Sequence, residues 1–345
     1  METKELIQRI KLKKKDLGDK LIILTHHYQR KVIVDLGDFA GDSFALSSRA
    51  ANDKHARYIV FCGVHFMAES AAILSKPNQI VQIPDPDAGC WMADMADSVL
   101  LEKAWQKVTA IVEQKKIIPL VYMNSDATIK AHCGSKGGAI CTSSNTIKAF
   151  EWAFSKGEKI FFFPDEHLGR NTCNTLGIPK HEIIVWDPEK PLGGNSKKTI
   201  QKARVILWKG YCLVHTRFTT DQIRNMKKIH PNAKIIVHPE CTEDVVAAAD
   251  AVGSTGFIVN YVKEAKQNST IIIGTEINLI KRLALDHKDK TILPLKESLC
   301  PNMFKINLEN LLYTLENIGK VNIIKVETQT QNNAKSALNR MLNLT

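Results

Sequence analysis

No two cysteines of this 345-residue chain stand in Cys-x-x-Cys spacing. That absence argues against the local ligand pairs of zinc ribbons and fingers and against a thioredoxin-type redox pair. No apolar stretch approaches the roughly 18 residues that a membrane span requires. The opening segment, METKELIQRIKLKKKDLGDK, is basic but lacks the apolar core of a secretory signal, so a cytoplasmic location is expected. The formal charge is +11, yet no basic stripe interleaved with aromatics and no nucleic-acid motif accompanies it. Attraction of small anionic substrates accounts for such a surface equally well. Nucleic acid and membrane are therefore not expected as partners, and the early lysines read as the solvated face of a helix.

What the chain does have is a plan written three times. Short β-branched runs recur in a fixed order, separated by helical patterns. The first kind ends in polar chemistry: KLIILTHHYQ (20–29), KIIPLVYMNSD (116–126) and AKIIVHPECTED (233–244). The second ends in Ser or Thr at a helix start: FAGDSFALSSRAA (39–51), GAICTSSNTIKAF (138–150) and DAVGSTGFIVNYV (250–262). The third comprises RYIVFCGVHFMAESAAIL, KIFFFPDEHLGRN and STIIIGTEINLIKRL. The fourth ends in cysteine: QIVQIPDPDAGC (79–90), ARVILWKGYC (203–212) and KTILPLKESLC (290–300). Twelve such runs predict an α/β protein of three units with parallel sheets, in pseudo-threefold arrangement around a central site. The expected divisions are a basic N-terminal helix (1–18), units at 19–113, 114–232 and 233–325, and a tail at 326–345. The tail is rich in Asn, Gln and Lys and reads as weakly ordered.

In open α/β sheets, ligands bind beyond the carboxyl ends of the strands, where this chain keeps its chemistry. Any one cysteine is more often packing than ligand, and that reading suits Cys62, Cys133, Cys141 and Cys173. Cys90, Cys212 and Cys300 differ, because they close the same run in each unit. Three thiolates at one cavity fit an iron–sulfur cluster with one iron left open, a Lewis acid suited to dehydration. The hydroxyls of Ser43, Ser143, Ser254 and Thr255 stand where helix N-termini attract anions, although Ser and Thr are also ordinary N-caps. Alternation along a strand puts His26 with Tyr28, Tyr122 with Asn124 and His238 with Glu240 on common faces. As three parallel pairs they make an acid–base and carboxylate-binding ring.

The segments HHYQ…GDFAGDS, FCGVHFMAE, PDPDAGCWMAD, YMNSDATIKA, CTSSN, FPDEHLGRN, GYCLVH, HPEC, GSTG, GTE and CPNM run in one order from about residue 20 to 325. Together they resemble the quinolinate synthase family, iron–sulfur enzymes of NAD biosynthesis. The resemblance implies a transferase that condenses iminoaspartate with dihydroxyacetone phosphate, releasing phosphate and two waters. It implies a 4Fe–4S cluster on Cys90, Cys212 and Cys300. It places substrate binding on His26, Asp42, Ser43, Tyr122, Asn124, Ser143, His215, Ser254 and Thr255, and proton transfer on Tyr28, His238 and Glu240. An oxidase or dehydrogenase that makes iminoaspartate is implied as a transient partner. Some members carry the last ligand in a Cys-x-x-Cys-x-x-Cys run; Pro294 and Glu297 stand there in this chain, so thiol-based control is not expected. The HCGSKGG segment (132–138) reads as a lid, with Cys133 and Cys141 reduced. Rival readings are another iron–sulfur hydro-lyase, a phosphosugar lyase and a cysteine–zinc module. A Schiff-base aldolase would need a lysine at a run end, and none stands out there.

Overall fold

A computed structural model describes residues 2–344. β-branched and aromatic residues build thirteen strands, almost all buried, as parallel strands covered on both faces must be. The first sheet contains β1 (Leu21–His26), β2 (Phe39–Gly41), β3 (Tyr58–Cys62) and β4 (Ile80–Gln82). The second contains β5 (Ile117–Tyr122), β6 (Ala139–Cys141), β7 (Lys159–Phe163), β8 (Ile183–Trp186) and β9 (Val205–Trp208). The third contains β10 (Lys234–Val237), β11 (Ala251–Val252), β12 (Thr270–Gly274) and β13 (Thr291–Pro294).

Spatial order is β2-β1-β3-β4 in the first sheet, β6-β5-β7-β9-β8 in the second and β11-β10-β12-β13 in the third. Every ladder is parallel, and helices link the strands. The chain thus forms three α/β/α units. β8 is an addition to the twelve expected runs; it pairs with β9 at the edge of the middle sheet. In each sheet the second strand in sequence lies on one side of the first and the third on the other. That reversal makes a switch point, with an open crevice at the carboxyl ends of β1 and β3, β5 and β7, and β10 and β12.

Two expectations are corrected here. The expected weakly ordered tail at 326–345 is instead ordered over its described residues: Thr328–Leu342 is a helix that buries Ala334, Ala337, Leu338 and Met341. Their spacing gives one apolar stripe, which lies on the helix Ala127–Ser135, β6 and the helix His65–Leu74. HCGSKGG is not a lid. It ends the helix Ala127–Ser135 and leads into the amino end of β6, away from the strand ends that bear the chemistry. There Gly134 lies against the carbonyl of Asn333, and Arg340 donates to the Gly138 carbonyl.

Candidate functional site

The three crevices open onto one cavity of about 620 Å³, mouth included. It is lined by residues from all three units. His26, Tyr28, Asp42, Ser43, Cys90, Tyr122, Asn124, Ser143, Cys212, His215, His238, Glu240, Thr255 and Cys300 all line it, with Val64, Phe66, Met67, Thr142, Val214 and Met303 among the rest. Of the candidate residues, Ser254 alone is absent from the wall. Its hydroxyl caps the helix Thr255–Glu264, accepting from the Phe257 N–H. Among the described residues, no Lys or Arg lines the cavity.

The polar pairs repeat in detail. In unit 1 the Tyr28 N–H donates to His26 Nδ1 at 3.2 Å, and in unit 3 the Glu240 N–H donates to His238 Nδ1 at 3.3 Å. An imidazole that accepts at Nδ1 carries its proton on Nε2 when neutral. Burial, then the charges of His27 and His238, hold His26 well below the usual histidine range. Burial, then His215, lowers His238 to about 3. Both rings are therefore neutral donors at ordinary pH.

Glu240 joins the units. Tyr122 Oη donates to its Oε1, while His215 Nδ1 lies 2.7 Å from its Oε2. The His215 ring stacks on His238 at 4.4 Å. Burial pushes the Glu240 carboxyl up, but the adjoining histidines and the bonds from His215 and Tyr122 outweigh it and hold the group below the usual range. Burial, then the charge of Glu240, raises both Tyr28 and Tyr122 well above the ordinary phenol range. The result is one buried carboxylate ringed by hydrogen-bonding groups from the second and third units.

Two helix starts and the turn before a third face the cavity. Asp42 caps the helix Ser43–Asn52 by accepting from the Ala45 N–H at 2.9 Å, and its Oδ2 accepts from Ser144 Oγ at 2.6 Å. Asp42 thereby ties unit 1 to unit 2 at the cavity rim. Ser43 and Thr255 are first residues of their helices, whereas Ser143 lies in the turn before the helix Thr146–Lys156.

Cys90, Cys212 and Cys300 share a wall between this cavity and a smaller pocket beyond it. Cys90 and Cys300 cap the short helices Trp91–Asp94 and Pro301–Phe304. Backbone groups of Ala93 and Met92 bond Cys90, that of Val214 bonds Cys212, and those of Met303 and Asn302 bond Cys300. With little solvent around them, the thiols are pushed up, Cys90 to about 12 and Cys300 to about 11. Three free thiols, mutually close and each met by backbone donors, are the donor set of an iron–sulfur cluster, whose sulfurs take such hydrogen bonds. The residues present fit that group. Cys212, His215 and Glu240 also bring ligand atoms within 4.8 Å of one another, a spacing suited to a single ion.

Residues that sequence patterning passed over include Ser144 and Thr142 at the rim and, behind the wall, Asp165, Thr275 and Glu276. Asp165 is wholly buried beyond Glu240, and burial raises it well above the carboxylate range. Glu276 accepts from the N–H groups of Asn278 and Cys300, and burial raises it to about 8. Asp165 and Glu276 cap the helices after β7 and β12. Their common place in the third run was the available signal.

A family model described as "Quinolinate synthetase A protein" matches residues 7–343. The chain is 46% identical to the quinolinate synthase of Bacillus anthracis (strain CDC 684 / NRRL 3495), over 99% of this chain and 94% of that protein. It is 47% identical, with the same coverage, to the quinolinate synthases of a strain of Bacillus cereus and of Bacillus mycoides (strain KBAB4).

Proposed function

The chain belongs to the quinolinate synthetase A family, and on that premise we propose that it condenses iminoaspartate with dihydroxyacetone phosphate, releasing quinolinate, phosphate and two waters. The observation that carries this reading is the meeting of three thiols, one from each unit, with a buried carboxylate, two helix starts and the turn before a third in one cavity.

Cys90, Cys212 and Cys300 would hold a 4Fe–4S cluster. When bound, a cluster with three protein ligands supplies a Lewis-acidic iron of the kind that assists loss of hydroxide. Substrate carboxylates and phosphate would be held without a side-chain cation. The hydroxyls of Ser43, Ser143 and Thr255, the N–H groups at the helix starts of Ser43 and Thr255 and the Asn124 amide take that part. His26 adds a neutral donor, Tyr122 offers its oxygen while its one proton holds Glu240, and Asp42 with Ser254 fixes the helix starts. Glu240, ionised and hydrogen-bonded, is suited to accept a proton during isomerisation and ring closure and, as the carboxylic acid so formed, to return it, while the neutral His238 Nε2–H donates a hydrogen bond to the substrate oxygen where charge builds. Tyr28 assists at the same face. A closed cavity also keeps water from an imine that hydrolyses readily.

Among the described residues, no helix is long and apolar enough to cross a membrane, and action in the cytoplasm beside an iminoaspartate-forming oxidase or dehydrogenase is part of the proposal. Anaerobic isolation with iron and acid-labile sulfide analysis tests the cofactor. Iron and sulfide in equal amounts are expected, reduced sharply by Cys90→Ser, Cys212→Ser or Cys300→Ser. Zinc without iron would favour the single-ion spacing at Cys212, His215 and Glu240 and would sink the cluster.

A further inference from the structure

The helix that follows the third run carries a buried polar side chain at the same place in every unit. Six residues after the N-caps Val64, Asp165 and Glu276 stand Ser70, Asn171 and Arg282. Each reaches the polar pair of another unit, at or beside the residue that separates its two members. Ser70 Oγ in unit 1 lies 3.2 Å from Sδ of Met123, between Tyr122 and Asn124 in unit 2. Asn171 Nδ2 in unit 2 donates to the carbonyls of Pro239 at 2.9 Å and Cys241 at 2.8 Å, on either side of Glu240 in unit 3. Arg282 Nη2 in unit 3 lies 3.1 Å from Nδ1 of His27, between His26 and Tyr28 in unit 1. The contacts run in one direction, first unit to second, second to third and third to first, and so close a ring behind the cavity wall.

Asn171 differs from its two counterparts in gripping backbone. Both of its partners are carbonyl oxygens, which only accept, so the amide nitrogen must face them and no protonation state enters the argument. Pro239 and Glu240 are the central residues of a turn closed by the Cys241 N–H on the His238 carbonyl at 3.0 Å. That bond leaves the Pro239 and Cys241 carbonyls outside the turn, where the two N–H groups of Asn171 take them. The far end of Glu240 is held by Tyr122 and His215, which also belong to unit 2. One unit therefore holds Glu240 at its carboxylate and at its backbone.

We propose that Asn171 is a positioning residue for the reaction: by clamping the backbone on both sides of Glu240, it fixes where that carboxylate stands against the substrate. Asn171 itself does not line the cavity, so it acts only through Glu240. Without its amide the two carbonyls lose this donor, and the turn is free to shift. A displacement of about 1 Å at a reacting group costs on the order of 100-fold in rate. The recurrence of the position in all three units marks the clamp as part of the threefold plan rather than a local packing detail.

This inference rests on the quinolinate-forming reading, and a double-mutant cycle separates the two. Asn171→Ala and Asn171→Ser are each made in the unsubstituted holoenzyme and in Glu240→Gln, with quinolinate formation, iron, sulfide and thermal midpoint measured on every protein. In the unsubstituted background, kcat is expected to fall about tenfold or more with KM within about threefold and iron retained. In the Glu240→Gln background the same substitutions are expected to change kcat by less than about threefold, because the group they position has lost its function. An equal fall in both backgrounds overturns the inference, since Asn171 would then act independently of Glu240. Unchanged kcat overturns it too, as does loss of iron or of the folded state from both Asn171 variants, which would make the residue a support for the cluster or the fold. An unsubstituted protein with full iron and sulfide that forms no quinolinate overturns the functional reading and the inference together.

Discussion

His27 shows how strongly a single buried ring can tie this fold to pH. Arg282 Nη2 lies 3.1 Å from His27 Nδ1, and a guanidinium only donates, so the ring must accept there and stay neutral. Burial, then the Arg282 charge, lowers His27 from 6.5 to about 4, with Asp42 opposing weakly. Above pH 6.5 the ring is neutral in both folded and unfolded chains and has no effect. As pH falls from 6.5 to about 4, the unfolded chain takes up a proton that the folded chain refuses, and stability declines. The full loss is on the order of 3 kcal/mol, and His26 and His238 act in the same direction. His27→Gln is expected to flatten the acid limb of urea stability between those pH values; an unchanged slope would show that His27 is not its source. At the same scale, Glu240→Gln keeps the shape of the side chain but removes the base. Turnover is expected to fall about 100-fold or more with the cluster intact, and full turnover by that variant would refute the assigned role. Much of this residue-level chemistry was legible, because alternation fixes which side chains share a face and threefold recurrence selects among them. Thr275 was not. Gly63 and Pro164 follow β3 and β7 where Thr275 follows β12, so its position has no recurring polar signature to detect.

Secondary-structure elements divide by whether their polarity pattern can be read without tertiary contacts. The twelve runs were legible because buried parallel strands are continuously apolar. β8 was passed over because its four residues, IIVW, sit among polar insertions of the middle unit. The C-terminal helix was misread for a related reason. TQTQNNAKSALNRML is polar in composition, and half of its buried stripe is the small side chains of Ala334 and Ala337. The stripe is nevertheless packed closely enough that a side chain at Gly134 would meet the Asn333 backbone. Leu338 is wholly buried in this interface, so Leu338→Ala is expected to cost about 2–5 kcal/mol, read as a lower thermal midpoint. A midpoint unchanged by Leu338→Ala would mean that the helix does not hold the fold together.

On the scale of the whole molecule, three sheets of like topology make one site that no single unit contains. Each contributes a polar pair, a hydroxyl at or just before a helix start and a thiol, and Glu240 links the three through Tyr122, His215 and Tyr28. The threefold plan was readable in the sequence, since each unit repeats the same order of runs. The contacts between units were not, because residues such as Asp42 and Ser144 or Tyr28 and Thr275 are distant in the chain and share no spacing rule. The chain carries +11, yet among the described residues no Lys or Arg lines the cavity; on the proposed reading the surface attracts anions and helix starts bind them. The central claim is that this shared site makes a pyridine ring. The direct measurement is quinolinate formed from iminoaspartate and dihydroxyacetone phosphate by anaerobically isolated protein of known iron and sulfide content. The account predicts quinolinate with equimolar release of phosphate. Protein carrying full iron and sulfide that yields no quinolinate would contradict it.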